Sequence, residues 1–506
     1  MLLFISAGLL LVFTYLFMII RKRWIILGLR DKIGLKGPPA HWFFGSLTYI
    51  LERQKQKGGV DDSNMWHLEL HKEFGDTFGI YLGTNFFINI SNEEDIKEVY
   101  IKQFSNFSDR SLAPIFDAGN LAQSMMCLTY ADGWKNARNS VLPVFSSGKM
   151  KQLFPTIEKK VSIFLEILET KIGTKFDIYD DFQALTLDVI AAAAFAIDCD
   201  SQRNRNDLFY TEIREFMKEL HFRDTPLIGY SFLMPELKYL WHLIYRFSKT
   251  YACEFPIIKA LTEVYDRRKS GEASESVDIL KMMIDNEGKV KGIGKREILE
   301  NSFGFLLAGY ETTSTALTNC AYLLSRHPEA QQKLYEEIVS TRDSVGLDYD
   351  SLHAMKYLDA VYRETLRMYP PVIHLLTRTT LNDTYIRDQF IPKGAIVSLI
   401  PHSVHHNEKN WPNSFHFDPE RFIDSKEATI NSLKWVPFGV GPRNCTGYRF
   451  AEMEFKAALA RMVEKFEIRF PKDGKDLVPD CNGVIMRPRD AVNVDLKVRD
   501  DYVLVH

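Results

Sequence analysis

Of the six cysteines in this 506-residue chain, Cys445 alone stands in a segment that dictates its surroundings: Trp435-Val-Pro-Phe-Gly-Val-Gly-Pro-Arg-Asn-Cys-Thr-Gly447. Every position of the pattern F-x-x-G-x-R-x-C-x-G is filled, by Phe438, Gly441, Arg443, Cys445 and Gly447. Each residue type has a reason to be there if the sulfur binds the iron of a haem. A thiolate pushes electron density onto the iron and favours O–O cleavage. Glycines on both sides of the cysteine, Gly439 and Gly441 before it and Gly447 after it, let the backbone approach a flat porphyrin where a side chain would collide. Phe438 can shield one face of the sulfur from water, and the Arg443 guanidinium offers a two-pronged donor to a haem propionate. A helical pattern follows over 448–466, so the free N–H groups at its positive end would stabilise the thiolate. Gly439 and Gly441 also open like a dinucleotide-binding fingerprint. Asn444 stands where its third glycine belongs, which excludes that reading.

The other cysteines (Cys127, Cys199, Cys253, Cys320 and Cys481) are scattered without a C-x-x-C pair. That is neither a disulfide framework nor a zinc spacing, and it places the body of the protein in a reducing compartment. A formal charge of −3 gives no global reason to bind nucleic acid, so electrostatic recognition is local. Residues 1–20 carry no charge, and Arg21-Lys22-Arg23 follows at once. Twenty residues at helical rise span about 30 Å, the thickness of a bilayer core. The charges come after the apolar run, which predicts a signal anchor and not a cleaved signal peptide. The basic flank then holds the body on the cytosolic side, with a single-pass N-terminal anchor in the endoplasmic reticulum membrane as the default. Sequons at Asn89, Asn106, Asn382 and Asn444 would go unused, and their modification state tests that topology.

Behind the transmembrane anchor (1–20), a basic, proline-punctuated linker (21–45) suits a hinge, and 46–506 forms one catalytic domain. Short strands are predicted within 78–90 and again within 379–400, with a turn at Pro392-Lys393-Gly394. Helices are predicted over 151–170, 182–197, 298–325 and 330–339, the last announced by Pro328. The expected fold is mainly α with a small β-rich subdomain. Residues 267–276 form the least ordered stretch. Residues 222–247 are apolar but interrupted by Pro226, Gly229 and Pro235, too irregular to span a membrane. They read equally as core or as a lobe dipping into a bilayer. His402, His405 and His406 have no acidic or thiol partner at ligand spacing and read as a surface loop.

Three further clusters carry chemistry. Glu364 and Arg367, one helical turn apart, would alone be an ordinary surface pair. Ala308-Gly-Tyr-Glu-Thr-Thr313 lies in an apolar helical run, where Glu311 and the threonines need partners if buried. Trp134 and Arg138, four apart, share one helix face. Together with the cysteine segment, these resemble the cytochrome P450 superfamily over essentially the whole chain. Glu364-Thr-Leu-Arg367, followed by Tyr369-Pro-Pro371 and Pro419-Glu-Arg-Phe422, resembles that family's buried ion network. Phe145-Ser-Ser-Gly-Lys149, His327-Pro-Glu-Ala-Gln-Gln-Lys333 and Gly441-Pro-Arg-Asn-Cys445 are similar to its microsomal drug- and steroid-oxidising subfamily and thromboxane-synthase-like relatives.

The resemblance implies a fold wrapped round a buried haem b (iron protoporphyrin IX) with Cys445 as its axial thiolate. It implies propionate contacts from Arg443, Trp134, Arg138, Arg110 and Arg378, the last one residue further from Arg367 than the common pattern. It implies that Thr312 hydrogen-bonds dioxygen and that Glu311 helps bring protons through water. The implied activity is that of a monooxygenase inserting one oxygen atom from O2 into a lipophilic small molecule (xenobiotic, steroid or fatty acid). No flavin or NAD fingerprint is present, so electrons from NADPH arrive through a separate protein. By resemblance that partner is NADPH-cytochrome P450 reductase, with cytochrome b5 as a further donor. Lys434, Arg443 and Arg449 are candidates for part of a basic docking face, Arg443 only if haem does not occupy it. Segments 114–123, 372–376 and 481–486 are the candidate pocket. Three rivals remain: an oxygen-independent isomerase or dehydratase of the same fold, a non-enzymatic haem sensor, and a membrane interaction protein without haem.

Overall fold

The computed structural model describes residues 2–56, 66–220, 225–271, 278–288, 293–423, 432–480, 483–500 and 502. Its principal helices are α1 (Leu2–Leu27), α2 (Trp66–Phe74), α3 (Trp134–Val141), α4 (Ser147–Glu169), α5 (Ile178–Phe195), α6 (Leu208–Glu219), α7 (Pro226–Leu233), α8 (Lys238–Tyr245), α9 (Lys249–Lys269), α10 (Lys295–Arg326), α11 (Pro328–Val345), α12 (Lys356–Met368), α13 (Pro401–His405) and α14 (Tyr448–Lys465). The four helices predicted before the cysteine segment are present as α4, α5, α10 and α11. Asp177 accepts the Tyr179 N–H at 3.1 Å and starts α5 earlier than apolar periodicity alone indicates. Pro328 occupies the first turn of α11, where its missing N–H costs nothing.

α10 is the axis of the molecule. Leu306, Tyr310 and Leu317 are fully buried on it, and α5, rich in alanine at 191–194, packs along it closely. A helix buried along most of its length belongs inside a large core, and here α5, α9, α12 and α14 pack against it. The strands form a smaller layer. β1 (Thr77–Leu82) and β2 (Asn85–Ile90) make an antiparallel hairpin, and β3 (Phe176–Asp177) lies before α5. β4 (Thr377–Thr379), β5 (Thr384–Ile386), β6 (Gln389–Ile391) and β7 (Ile396–Leu399) follow, then β8 (Phe466–Arg469), β9 (Pro479–Asp480), β10 (Arg487–Pro488) and β11 (Asn493–Val498). One sheet has the order β1-β2-β7-β4, with β2 and β7 parallel; another has β3-β11-β8. Both predicted strand regions are thus present and meet in one sheet.

The expected anchor falls on α1, which continues through Arg21-Lys22-Arg23 to Leu27. Met1 and the side chains of 2–5, 7–9, 11 and 12 lie outside the described residues. Among the described residues, no helix is long and apolar enough to cross a membrane. Segment 21–45 is fastened to the body. Arg23 is buried, donates to Phe43 O, Leu233 O and Glu236 Oε2 at 3.0, 2.9 and 3.1 Å, and so ties the end of α1 to the turn after α7. Residues 222–224 of the apolar stretch are not described; in the rest, Ile228, Trp241 and Tyr245 are buried while Tyr239, Leu243 and Phe247 are exposed. Part of the stretch is therefore core and part is exposed apolar surface.

One expectation is overturned. His402, His405 and His406 are not in a surface loop: α13 carries them into the interior, and all three are buried. Their polarity is met in part, His402 Nε2 and His405 Nδ1 being buried without a partner. His405 Nε2 accepts the Val436 N–H at 2.8 Å, and His402 Nδ1 lies 3.0 Å from His67 Nε2 on α2. All four sequons are also engaged: Asn89 is buried in β2, Asn106 and Asn382 bond each other, and Asn444 Oδ1 accepts from Arg138 at 2.6 Å.

Candidate functional site

Cys445 lies in a loop wound by its own backbone. Its N–H donates to Phe438 O at 2.8 Å, and the Asn444 N–H to Gly441 O at 3.0 Å. Gly439 and Gly441 have φ of 70° and 73°, a region that L side chains avoid. A Cβ on Gly441 would sit 2.0 Å from Tyr100 O, so the loop itself demands glycine there, independently of any flat ligand. Phe438 packs edge-on to Trp435 and tilted against Tyr448. α14 starts at once after Gly447, as the sequence pattern requires.

The Cys445 side chain is exposed, but to an interior cavity of about 240 Å³ and not to bulk solvent. Burial pushes its thiol up from the ordinary value, opposed by the Gly447 N–H and by Arg138 and Arg110. The same cavity is bordered by Phe438, Thr312, Trp134, Arg110, Arg138 and Arg443. Seven of the ten expected site residues therefore converge on it. Of the other three, Gly439 shapes the loop, and Arg378 lies behind, over the Tyr100 ring at 4.7 Å, donating to its neighbour Thr377 O at 2.7 Å. Glu311 faces α5.

The arginines are the informative part. Arg443 is 1% exposed, donates to Leu128 O at 2.7 Å and stacks over Trp134 at 4.4 Å, yet its Nε and Nη1 are buried without a partner. Arg110 Nε and Arg378 Nε are likewise buried and unpartnered. Burial and mutual repulsion pull Arg443 down to about 9 and Arg110 to about 10. Buried donors of this kind call for acceptors, and clustered cations for anions. A haem offers two carboxylates to such donors and an iron to the sulfur, so the residues present fit it.

Thr312 donates its hydroxyl to Ala308 O at 2.6 Å, bonding back one turn, and presents its oxygen to the cavity. Glu311, 1% exposed, accepts from the Tyr179 hydroxyl and, at 3.1 Å, from Gln183 Nε2, both on α5. A second cavity, about 140 Å³ and largely apolar, adjoins at Ala308 and Thr312. Phe116, Leu121, Val372, Leu375, Gly483 and Ile485 line it, so the three predicted pocket segments meet there, Cys481 and Asn482 lying outside the described residues.

Glu364 and Arg367 form a fully buried bidentate pair, at 2.7 and 2.9 Å. Arg367 Nη1 also donates to His405 O and Ser414 O, and Glu364 Oε1 accepts the Asp418 N–H. This ties α12 to α13 and to the segment before the cysteine loop. The proposed basic docking face needs correction at one position: Arg443 points inward, leaving exposed Arg449 and half-buried Lys434. Sequence reasoning also missed Tyr179 and Gln183. The available signal was their spacing with Thr186, a polar stripe at 179, 183 and 186 on one face of the helix.

The family model described as Cytochrome P450 matches residues 35–494. The chain is 32% identical to Cytochrome P450 3A29 of Sus scrofa over 488 residues, covering 94% of this chain and 93% of the relative. It is 33% identical to Cytochrome P450 3A6 of Oryctolagus cuniculus over 488 residues, covering 94% of both, and 31% identical to Cytochrome P450 3A13 of Mus musculus over 491 residues, covering 94% and 93%. With a full-length family match and a cavity that fits haem, the chain belongs to the cytochrome P450 family and is a haem-thiolate monooxygenase.

Proposed function

We propose that this monooxygenase inserts one atom of O2 into a lipophilic xenobiotic, steroid or fatty acid, the other atom leaving as water. Electrons come from NADPH through NADPH-cytochrome P450 reductase, with cytochrome b5 as a second donor. The observation that carries the reading is the convergence of Cys445, Thr312 and under-satisfied buried arginines on one cavity.

In this reading Cys445 is the iron ligand. Arg443, Arg110 and Arg138 take the propionates with Arg378 behind them, while Trp134 and Phe438 pack round the group. Haem, when bound, supplies the redox and oxygen chemistry. With iron bound, Cys445 would be held as the thiolate, the cation offsetting the burial that raises its thiol. The Thr312 hydroxyl, oriented by Ala308 O, hands on protons, and Glu311 replenishes them. The apolar cavity beside Thr312 receives the substrate.

Residues 1–20 anchor the chain in the endoplasmic reticulum membrane, 21–45 link, and 46–506 form the cytosolic catalytic domain. Exposed Tyr239, Leu243 and Phe247 support a lipid-facing lobe on the side where α1 leaves the body. Lys434 and Arg449 contribute to the reductase face.

The first test is the reduced carbon-monoxide difference spectrum of the purified protein beside Cys445→Ser. A strongly red-shifted Soret band, lost in the variant, is the expected result. A band at the position of histidine-ligated haem would overturn the role of Cys445. Turnover of a hydroperoxide without NADPH or reductase would replace oxygenation with the isomerase reading.

A further inference from the structure

We propose that Tyr179 and Gln183 are positioning residues for Glu311, and that their grip on its carboxylate governs how efficiently protons reach Thr312. The inference rests on the assignment of Glu311 and Thr312 to proton supply and adds two residues that neither touch the cofactor site nor belong to any of the family-like motifs.

The geometry is specific. Glu311 is buried on α10, and its two oxygens are shared between two donors from one helix: Tyr179 takes Oε1 and Gln183 takes Oε2. The donors stand four apart on α5, hence on one face. The frame that holds them is rigid, because Thr186, one turn further, donates to Tyr310 O at 2.8 Å, on the same turn of α10. A buried carboxylate needs donors, and this one is held by two neutral groups. Neutral donors grip an anion less tightly than a guanidinium does, so the carboxylate can be released as well as stored. The Tyr179 hydroxyl is a donor throughout: burial, reinforced by the Glu311 charge, keeps it protonated far above its ordinary range.

Glu311 and Thr312 both border the apolar second cavity, so a carboxylate that leaves α5 enters the space Thr312 faces. A proton from hydronium binds a Glu311 oxygen and leaves water behind. It then passes to Thr312 Oγ as that oxygen gives its own proton to the O2-derived oxygen atom that leaves as water. Glu311, again a carboxylate, returns to Tyr179 and Gln183. Without the clamp the carboxylate has no fixed home, proton delivery becomes less efficient, and reducing equivalents are lost as hydrogen peroxide.

The test uses the full-length, haem-loaded protein with reductase and a substrate that supports NADPH consumption. Tyr179→Phe and Gln183→Leu are compared with wild type, alone and combined with Glu311→Gln. Three quantities are read: hydrogen peroxide and product per NADPH, the solvent deuterium isotope effect on kcat, and the infrared carboxylate band that Glu311→Gln removes. Tyr179→Phe is expected to move that band and to raise peroxide per NADPH by about threefold or more. It should also alter the isotope effect and leave the carbon-monoxide band unchanged. In the Glu311→Gln background, Tyr179→Phe should add nothing. An unmoved carboxylate band, or an effect that persists undiminished without Glu311, would reduce Tyr179 to packing and overturn the proposal. Should Tyr179→Phe fail to fold, Gln183→Leu tests the other oxygen by the same readouts. The infrared arm needs no turnover, so it decides the clamp even if the carbon-monoxide spectrum were to refute thiolate ligation.

Discussion

Replacing Arg443 by leucine should weaken haem binding while leaving the haem-free chain nearly as stable as before. Arg443 makes one side-chain hydrogen bond to protein, to Leu128 O, pairs with Asp109 at 3.8 Å and lies over Trp134; its Nε and Nη1 have no protein partner although the residue is buried. In the haem-free chain three losses follow from the change. Leu128 O loses its donor, at roughly 1–2 kcal/mol, the cation–π contact goes, at roughly 1 kcal/mol, and the long Asp109 pair goes, at roughly 0.5 kcal/mol. Against them stands the removal of a desolvated cation repelled by Arg110 and Arg378, a relief of roughly 2–3 kcal/mol. These nearly cancel, so the expected net change is within about 1 kcal/mol. With haem bound, a charge-assisted bond to a propionate is lost instead, worth roughly 1.5–3 kcal/mol. Arg110 and Arg138 border the same cavity and take up part of the load, so about 2 kcal/mol is expected, or about thirtyfold in affinity. The assay is haem transfer to an excess of a high-affinity acceptor protein, paired with urea unfolding of the haem-free chain. If transfer is no faster, or if both forms lose the same stability, Arg443 is a packing residue of the Leu128–Trp134 corner and the argument from its unpartnered nitrogens fails.

Arg367→Ala should cost roughly 3–5 kcal/mol in urea unfolding, because it leaves buried Glu364 with only Arg421, 3.5 Å away, as counter-charge and strips His405 O and Ser414 O of their donor, and Arg367→Met with Glu364→Leu should recover much of it; a cost under about 1 kcal/mol would refute a structural role for the pair. His67, His402, His405 and His406 are all held below their ordinary value by burial, His405 at about 3. Their folded values lie below the unfolded one, so their contribution is complete above about pH 6.5 and is lost as the pH falls from there toward the folded values, at up to about 1.4 kcal/mol per group and pH unit. His67→Phe should flatten the fall in stability between about pH 6 and 4.5, and an unchanged slope in urea unfolding would count against it. Gly441→Ala should cost at least about 2 kcal/mol and abolish the thiolate carbon-monoxide band, since the added Cβ meets Tyr100 O and the backbone is left-handed; retention of the band would show that the loop has another conformation open to it.

The chemistry of this protein is written locally and its partnerships are not. Phe438 to Gly447 fixes a loop, a thiol and a following helix within a dozen residues, because glycine conformation, hydrogen bonding and helix initiation act over a few positions. For the same reason 3.6-residue periodicity sufficed to find α4, α5, α10 and α11, and turn residues bracketed the strands. The helix ends, by contrast, followed single capping groups such as Asp177. Polarity misled at His402, His405 and His406: an imidazole is cheap to bury when neutral and bonded, and the partners that make it so, His67 and Val436, lie far away in the chain. At Arg443 the sequence offered two roles, a haem propionate and a docking face, and burial decides for the cavity. Tyr179 and Glu311 are 132 residues apart and were joined only when α5 packed against α10. Thus the sequence by itself determined the thiol, its loop and the order of the helices, all short-range properties of the backbone. Only the tertiary structure decided which polar groups are buried and whom they meet, because burial is a property of the whole packed core and no residue carries it alone.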